Sequence, residues 1–216
     1  MAVSDREKQI ERDRYYLRLA EAVETSADCL GTHVGAVLVL ENRVISTGYN
    51  GTPSSFPNCE DGGCIRCLDS WYLKNDRADE VTDPAHVSGA ALDRCICVHA
   101  EPNAFITAAR FGIRIQGATL YTTQSPCFSC LKEAVQADIK RIVYKTWYPA
   151  KYIPPLRKLY YGLADHLATT PEGKVDPTRF EARGGGDAPR AEGQPDPYRE
   201  EEIDAEELEP SKPSVS

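Results

Sequence analysis

Hydrophobic and polar residues follow two different periods along the first part of the chain. Residues 6–28 carry apolar side chains at helical spacing with charged residues between them, which predicts an amphipathic helix. The runs 34–40 and 44–49 are rich in β-branched residues and are separated by the short segment 41–43. This pattern predicts a β-hairpin directly after the helix.

The second half of the chain alternates between the two periods. It predicts in turn a helix, a strand, a helix, a strand and a last helix, over residues 99–111, 119–123, 127–136, 141–144 and 153–165. Residues 51–98 are rich in Gly, Pro and Cys and are expected to form a long irregular segment. Irregular segments of this length usually have a function or are held in place by a bound group or cross-link. Such alternation is typical of an α/β fold with a mostly parallel second half.

Charge is distributed unevenly along the 216 residues. The net charge is −8, of which residues 181–216 carry −7 and the first 180 residues only −1. We therefore expect a folded domain over residues 1–180 and a disordered acidic tail over 181–216. Because the domain offers no strong basic field, nucleic acid is not the expected partner and a small substrate is favoured.

Two further features of the chain concern its surroundings. No apolar run approaches membrane-spanning length, and the charged N-terminus lacks the apolar stretch of a signal peptide. All eight cysteines lie between Cys29 and Cys130. Without a secretory signal these are expected to be reduced thiols or metal ligands, and the expected location is cytoplasmic.

Two short motifs carry the candidate chemistry. His99-Ala100-Glu101 is followed, after a predicted strand, by Pro126-Cys127-Phe128-Ser129-Cys130. One imidazole and two thiolates would hold Zn²⁺ and leave a fourth position open for water, as catalytic zinc sites do. Glu101 is then placed to carry protons without ligating the metal, a combination typical of zinc-dependent nucleobase deaminases. The alternative is a structural zinc or an iron–sulfur fragment with an incidental glutamate.

With these motifs, the chain resembles the deoxycytidylate (dCMP) deaminases of the zinc-dependent cytidine deaminase superfamily. The resemblance covers about residues 12–150 and is carried by four segments: Cys29 with Val34-Gly35-Ala36-Val37, residues 46–53 (STGYNGTP), residues 99–104 (HAEPNA), and Thr119-Leu120-Tyr121 through Cys130. It implies a three-layer α/β/α fold with a mixed five-stranded sheet. It further implies hydrolysis of dCMP to dUMP and ammonia, which supplies thymidylate synthesis.

The resemblance also implies partners and regulation. A homo-oligomer is expected, a hexamer above other sizes, with dCTP as an activator bound together with Mg²⁺ and dTTP as an inhibitor. His99, Cys127 and Cys130 would bind the catalytic zinc, and Glu101 would be the acid and base.

Three residues are expected on the substrate side of the site. Asn50 would hydrogen-bond the deoxyribose, and Ala100 and Tyr148 would lie against the nucleotide. Asn50 in its Asn-Gly pair could equally serve plain turn chemistry. Tyr148 could equally be a core or surface aromatic.

Six further cysteines precede His99. Five of them lie in the long segment 51–98 and one lies upstream of it: Cys59, Cys64, Cys67, Cys95 and Cys97, with Cys29 upstream. Paired thiols at such spacings chelate zinc, and four of them close a structural site. Some dCMP deaminases similar to this chain carry a second zinc here, with ligands at positions matching Cys29, Cys59 and Cys97. We hypothesise that four of the six bind a structural zinc, the alternative being reduced, buried cysteines.

Two kinds of function remain open at this stage. The first is an enzyme acting on dCMP or on another cytosine nucleotide. The second is an accessory protein of DNA uptake that retains a deaminase fold, as in bacterial competence. The presence of Glu101 beside the expected metal ligands favours the enzyme, since a binding role would not need it. The GYNGTP segment and the cysteine-rich insert argue against tRNA adenosine, pterin and riboflavin-pathway deaminases.

Overall fold

A computed structural model describes residues 4–83, 95–147, 154–170 and 173–174. The helices are α1 (Asp5–Glu24), α2 (Ile65–Lys74), α3 (Ala100–Arg110), α4 (Phe128–Gln136) and α5 (Pro154–Leu167). The strands are β1 (Gly35–Leu40), β2 (Arg43–Tyr49), β3 (Thr119–Gln124), β4 (Arg141–Thr146), β5 (Ala168–Thr170) and β6 (Gly173–Lys174). Tyr148 and the acidic tail lie outside the described residues.

The strands form one mixed sheet in the order β2-β1-β3-β4-β5-β6. Strand β1 pairs antiparallel with both β2 and β3, whereas β3, β4 and β5 run parallel to one another. Strand β6 returns antiparallel to β5. The predicted α/β class with a mostly parallel second half is confirmed. The resemblance implied five strands, whereas the described residues form six. Strands β5 and β6, of three and two residues, are too short to leave a sequence pattern.

Helix α1 covers one face of the sheet. Its start is fixed by Ser4 and Glu7, each of which bonds the backbone N–H of the other in a capping box. Its buried side chains pack on alternate residues of three strands: Tyr16, Leu17 and Ala20 meet Val37, Val39, Tyr121 and Val143. The helix ends at Glu24 rather than at the predicted residue 28.

Helices α3, α4 and α5 cover the opposite face. The intervening strand residues point to this side, as the two-residue period of a strand requires. The core here is built on Ala36, Leu38, Leu120, Ile142 and Tyr144 from the strands, and on Ala100, Ala104, Leu131, Ala134 and Tyr160 from the helices. Helices on both faces of one sheet give the three layers that the resemblance implied.

The hairpin between β1 and β2 turns on two residues. Glu41 and Asn42 both have positive φ angles, 51° and 60°, as the two central residues of a tight hairpin turn require. Arg43, predicted to belong to the turn, is the first residue of β2. The prediction for this element is therefore correct to within one residue.

The segment expected to be irregular contains a helix. Helix α2 and two single-turn 3₁₀ helices, Cys59–Asp61 and Ala78–Glu80, interrupt it. The buried face of α2 includes Cys67 and Asp69, so cysteine replaces the aliphatic residues from which a helix is usually predicted. No helix within the described ranges combines the length and apolar character needed to span a membrane.

Candidate active site

Two helix starts converge at the candidate site. His99 is the N-cap of α3 and Cys127 is the N-cap of α4, and both have extended backbone conformations. N-caps are usually Ser, Thr, Asp or Asn, whose side chains bond the helix's free N–H groups. Neither His99 nor Cys127 caps its helix in this way. Their side chains instead meet each other, with Cys130 one turn into α4 completing the group.

The three donor atoms form a compact triangle. The Nδ1 atom of His99 lies 3.6 Å from the Cys127 sulfur and 3.4 Å from the Cys130 sulfur, and the two sulfurs are 3.4 Å apart. Tetrahedral Zn–S and Zn–N bonds of about 2.3 and 2.0 Å place ligand atoms roughly 3.5 to 3.8 Å apart. The triangle therefore fits three corners of a zinc tetrahedron. All three residues were predicted, and the structure brings them together.

Within the triangle, electrostatics favour the metal-binding thiolate at Cys127, whereas contact with Cys127 and burial raise the pKa of Cys130. Contact with Cys130 and then His99 lowers the pKa of Cys127 to about 4, although burial opposes this. Contact with Cys127 raises the pKa of His99 to about 9, which favours the protonated imidazole, so zinc would have to displace that proton on binding. A thiolate is the form of cysteine that ligates metals, and the positive ends of α3 and α4 stabilise it further.

Glu101 lies in the first turn of α3, and its side chain is buried, with 4% of the residue exposed. Burial raises the pKa of its carboxyl to about 7, while His99 and Cys130 pull it down. A carboxyl with such a pKa exchanges protons readily near neutral pH. A second carboxyl, Glu133 on α4, also has a pKa raised by burial and by Cys127, and the sequence patterns did not single it out.

Strand β2 holds α3 in place through three contacts that sequence reasoning missed. A Cβ atom at Gly48 would lie 2.3 Å from the carbonyl oxygen of Ala100, so only glycine permits this approach. The Ser46 hydroxyl donates to the carbonyl of Ala104 at 2.8 Å, and the Asn103 amide donates to the carbonyl of Tyr49 at 2.6 Å. The run of small residues from Ser46 to Gly48 in β2 is the sequence feature that could have indicated this close packing.

The remaining supports act on the segments that enter each helix. Gly51 and Val98 form an isolated antiparallel bridge directly before His99. The Tyr160 hydroxyl of α5 donates to the carbonyl of Pro126 at 2.8 Å, directly before Cys127. Both metal-facing N-caps are therefore approached by backbone that is held from outside its own helix.

The predicted substrate residues are placed differently from one another. Asn50 is buried, and its Oδ1 accepts from the N–H of Val34 at 2.7 Å while its Nδ2 donates to the carbonyl of Thr32 at 2.9 Å. It therefore shapes the loop before β1, and one lone pair of Oδ1 remains for another donor. Ala100 is fully buried at the start of α3. Nothing is described for Tyr148.

The other six cysteines also come together. They form a separate buried cluster, in which the described sulfur pairs are 3.6 to 3.9 Å apart. Five of the six residues are buried and Cys95 is partly exposed. The grouping that sequence spacing suggested is therefore present in the fold.

With this geometry in place, comparison with known families is decisive. The sequence model for the cytidine and deoxycytidylate deaminase zinc-binding region matches residues 10–146, well over half of the chain. The chain belongs to this deaminase family. The match spans both motifs of the donor triangle and the whole of the intervening helix and strand.

Curated members of the deaminase family resemble the chain over this same region. A deoxycytidylate deaminase from Schizosaccharomyces pombe is 39% identical over 136 residues, which are 63% of this chain and 37% of that protein. A deoxycytidylate deaminase from Mycobacterium phage D29 is 39% identical over 132 residues, covering 61% of this chain and 92% of the phage protein. The chain thus spans less than half of the length of the yeast relative.

One solved deaminase structure shares the architecture. It is a dCMP deaminase from cyanophage S-TIM5, in complex with dCMP and dUMP. It is 27% identical, superposes with a TM-score of 0.52, and covers 74% of this chain and 96% of its own. The similarity therefore extends through nearly the whole of that smaller protein.

Proposed function

We propose that this chain hydrolyses dCMP to dUMP and ammonia. The observation that carries the proposal is the triangle of His99, Cys127 and Cys130 at zinc-tetrahedron spacing, with the buried carboxyl of Glu101 beside it. Deoxycytidylate deaminases among the relatives, and the cyanophage enzyme with its two bound nucleotides, support dCMP as the substrate.

His99, Cys127 and Cys130 would hold the zinc ion. The chemistry of the donor set fits, because three protein ligands of nitrogen and sulfur leave one position open. When bound in such a site, zinc makes water acidic enough to act as a nucleophile near neutral pH. The low pKa of Cys127 supports ligation, because the metal does not have to compete with a proton for that sulfur.

Glu101 would move the protons of the reaction. Its carboxylate takes a proton from the attacking water and delivers it to the N3 nitrogen of the cytosine ring. Carbon C4 gains the oxygen, and its bond to the exocyclic nitrogen breaks. That nitrogen takes a second proton through Glu101 and leaves as ammonia, so that one water is consumed for each ammonia released. The buried position of Glu101 limits competing exchange with bulk water.

Asn50, Ala100 and Tyr148 are proposed to contact the nucleotide. The backbone N–H at the start of α3 is available near Ala100, because the first N–H groups of a helix lack partners inside it. The remaining lone pair of the Asn50 side chain would accept from the deoxyribose hydroxyl. These contacts would hold the nucleotide in place, and Tyr148 would add a stacking surface.

Regulation, assembly and cellular location are proposed in addition to the reaction itself. Activation by dCTP with Mg²⁺, inhibition by dTTP and a homo-hexamer follow from the family resemblance. A cytoplasmic location is proposed because none of the eight cysteines is paired in a disulfide bond. The deaminase domain is proposed to span residues 1–180 and the acidic tail residues 181–216. The accessory role in DNA uptake is not better supported, because it leaves the buried Glu101 without a purpose.

Substrate choice is tested with purified protein. Incubation with dCMP, dCTP, deoxycytidine and cytidine is followed by the loss of cytosine absorbance. We expect turnover of dCMP well above that of the other three. Addition of dCTP and dTTP to the dCMP reaction tests the effectors. Faster turnover of cytidine or deoxycytidine would overturn the assignment to the nucleotide.

The role of Glu101 is tested by Glu101→Gln, which keeps the size of the side chain and removes its proton exchange. We expect kcat to fall by at least about 10²-fold, the usual contribution of one acid–base group, with zinc content unchanged. Glu11→Gln, at an exposed position of α1, is the matched control and should leave kcat unchanged. Turnover of Glu101→Gln near the parent rate would refute the proton-carrying role.

A further inference from the structure

The six cysteines outside the catalytic triangle form two overlapping groups of four. One contains Cys29, Cys59, Cys67 and Cys97, and the other contains Cys64, Cys67, Cys95 and Cys97. Within each group all four sulfurs lie within 4.8 Å of one another. Both groups contain Cys67 and Cys97, so the two sets of four share an edge.

Four of the sulfur–sulfur separations, 3.6 to 3.9 Å, are close to those of zinc tetrahedra, and the others within each group are at most 4.8 Å. The shared edge from Cys67 to Cys97 measures 3.9 Å. Cys29 lies 3.7 Å from Cys67 on one side, and Cys95 lies 3.6 Å from Cys67 on the other. Four sulfurs around one zinc at about 2.3 Å are separated by roughly 3.8 Å. Disulfide bonds of about 2.0 Å are much shorter than any of these separations.

A single zinc ion would leave two of the six clustered thiols without a metal. If it bound the first group, Cys64 and Cys95 would remain, only 3.7 Å apart and beside a charged centre. If it bound the second, Cys29 and Cys59 would remain. The Cys29 sulfur accepts the backbone N–H of Gly31 and the Cys59 sulfur that of Leu30, both at 3.4 Å, which leaves two closely placed sulfur donors unused.

We propose that the six cysteines hold two zinc ions in one binuclear cluster. Cys67 and Cys97 bridge the two ions, Cys29 and Cys59 complete the first tetrahedron, and Cys64 and Cys95 complete the second. Six thiolates with two zinc ions carry the same net charge as four thiolates with one. The second ion therefore adds no uncompensated charge to the buried cluster.

The cluster joins segments that have few other contacts. Its ligands come from the loop after α1, the first 3₁₀ helix, the start of α2 and the segment before α3. A metal cluster can replace the apolar core that this insert lacks. Cys97 lies two residues before His99, so the same cluster also fixes the backbone that enters the catalytic triangle.

Zinc stoichiometry tests the proposal directly. The variant Cys127→Ser/Cys130→Ser removes two ligands of the catalytic triangle and leaves the six-cysteine cluster intact. Native mass spectrometry after zinc-replete, chelator-free purification should show two zinc ions per chain, and three in the unmutated protein. One ion or none in the double variant, or a mass lowered by disulfide formation, would overturn the binuclear cluster.

Single substitutions separate the two tetrahedra. In the double-variant background, both Cys59→Ser and Cys64→Ser should lower the zinc content, since each residue ligates a different ion. A single-zinc site would lose zinc with only one of the two substitutions and stay at one ion with the other. Circular dichroism of each variant shows whether the fold is kept.

X-ray absorption on the folded double variant supplies a test that needs no further substitution. With Zn–S bonds of about 2.3 Å, two zinc ions that share two sulfurs lie about 3 Å apart if the shared edge from Cys67 to Cys97, 3.9 Å here, contracts to roughly 3.5 Å on metal binding. We expect a zinc–zinc scattering contribution at that distance. A spectrum fully described by four sulfur neighbours, without a metal neighbour, would contradict the bridged arrangement.

Discussion

A single buried carboxylate joins three elements of the fold. Asp13, on α1, is fully buried, and its two oxygens accept both terminal nitrogens of Arg141 on β4, at 2.8 and 2.6 Å. The same carboxylate accepts the hydroxyl of Tyr121 on β3 at 2.9 Å and the amide of Gln9 at 2.9 Å. Burial and the charge of Asp13 raise the pKa of Tyr121, so its hydroxyl stays protonated and donates throughout the neutral range.

Asp13→Asn should destabilise the protein strongly. The amide cannot match the paired donors of Arg141, and removing one partner of a buried ion pair costs about 3 kcal/mol or more. We expect the free energy of unfolding, measured by denaturant titration, to fall by roughly that amount.

Asp5→Asn is the matched control for this substitution. It lies on the same helix, and its side chain is 99% exposed beside Lys8. Exposed pairs contribute little, so stability should change by less than about 0.5 kcal/mol. Equal losses of stability from Asp5→Asn and Asp13→Asn would contradict this prediction. The loss would then come from an effect common to both positions on α1 and not from the buried ion pair.

At the scale of elements, the contact between α3 and β2 positions Glu101. A Cβ atom at Gly48 would lie 2.3 Å from the carbonyl oxygen of Ala100 and 2.4 Å from the backbone nitrogen of Ala104. Both obstacles are backbone atoms, which cannot rotate away as a flexible side chain can. The helix that carries the proposed proton carrier must therefore shift if this glycine is replaced.

Gly48→Ala should lower stability by about 1 to 3 kcal/mol, as overpacking does, and should lower kcat because α3 moves. The control is Gly162→Ala on α5, where an added Cβ meets nothing within 4 Å. There alanine should be neutral or should stabilise by about 0.5 to 1 kcal/mol through helix propensity. Thermal unfolding and the dCMP assay measure both effects, and full activity in Gly48→Ala would contradict the positioning role.

Helix α2 is a helix that the sequence pattern does not predict. Cys64, Cys67, Leu68 and Trp71 are spaced as one face of a helix, yet two of these four are cysteines. When the two cysteines are interpreted as metal ligands, too few apolar residues remain to indicate a hydrophobic helix face. The sequence therefore predicts an irregular segment here. Strands β5 and β6 were not predicted for a simpler reason. They contain three and two residues, which are too few to show an alternating pattern.

At the scale of the whole molecule, local patterns were predictable and distant pairings were not. The donor triangle depends on two short motifs, and each motif sits at a helix start that its own neighbours indicate. The approach of Cys29 to Cys67 spans 38 residues and depends on how α2 folds back on the loop after α1. Spacing could suggest that some of the six cysteines bind metal, but only the fold shows two groups sharing an edge.

The charge distribution of the whole chain leads to a final prediction. Residues 181–216 carry −7 of the total −8, and dCMP is itself an anion. Removing this acidic tail should leave kcat and zinc content unchanged, since the catalytic residues precede it. The KM for dCMP should fall about twofold at low ionic strength, because repulsion of the substrate is relieved. The difference should vanish near 1 M salt, where the Debye length is about 3 Å.

A full-length variant in which every Asp and Glu of the acidic tail is replaced by Asn or Gln separates charge from chain length. If charge governs the effect, this variant and the truncated chain should have the same KM and the same salt dependence. A loss of kcat or of zinc on truncation, absent from the neutralised variant, would instead make residues 181–216 part of the deaminase domain. That result would contradict the proposed boundary at residue 180, because the folded part would then include the residues that carry −7 of the total charge.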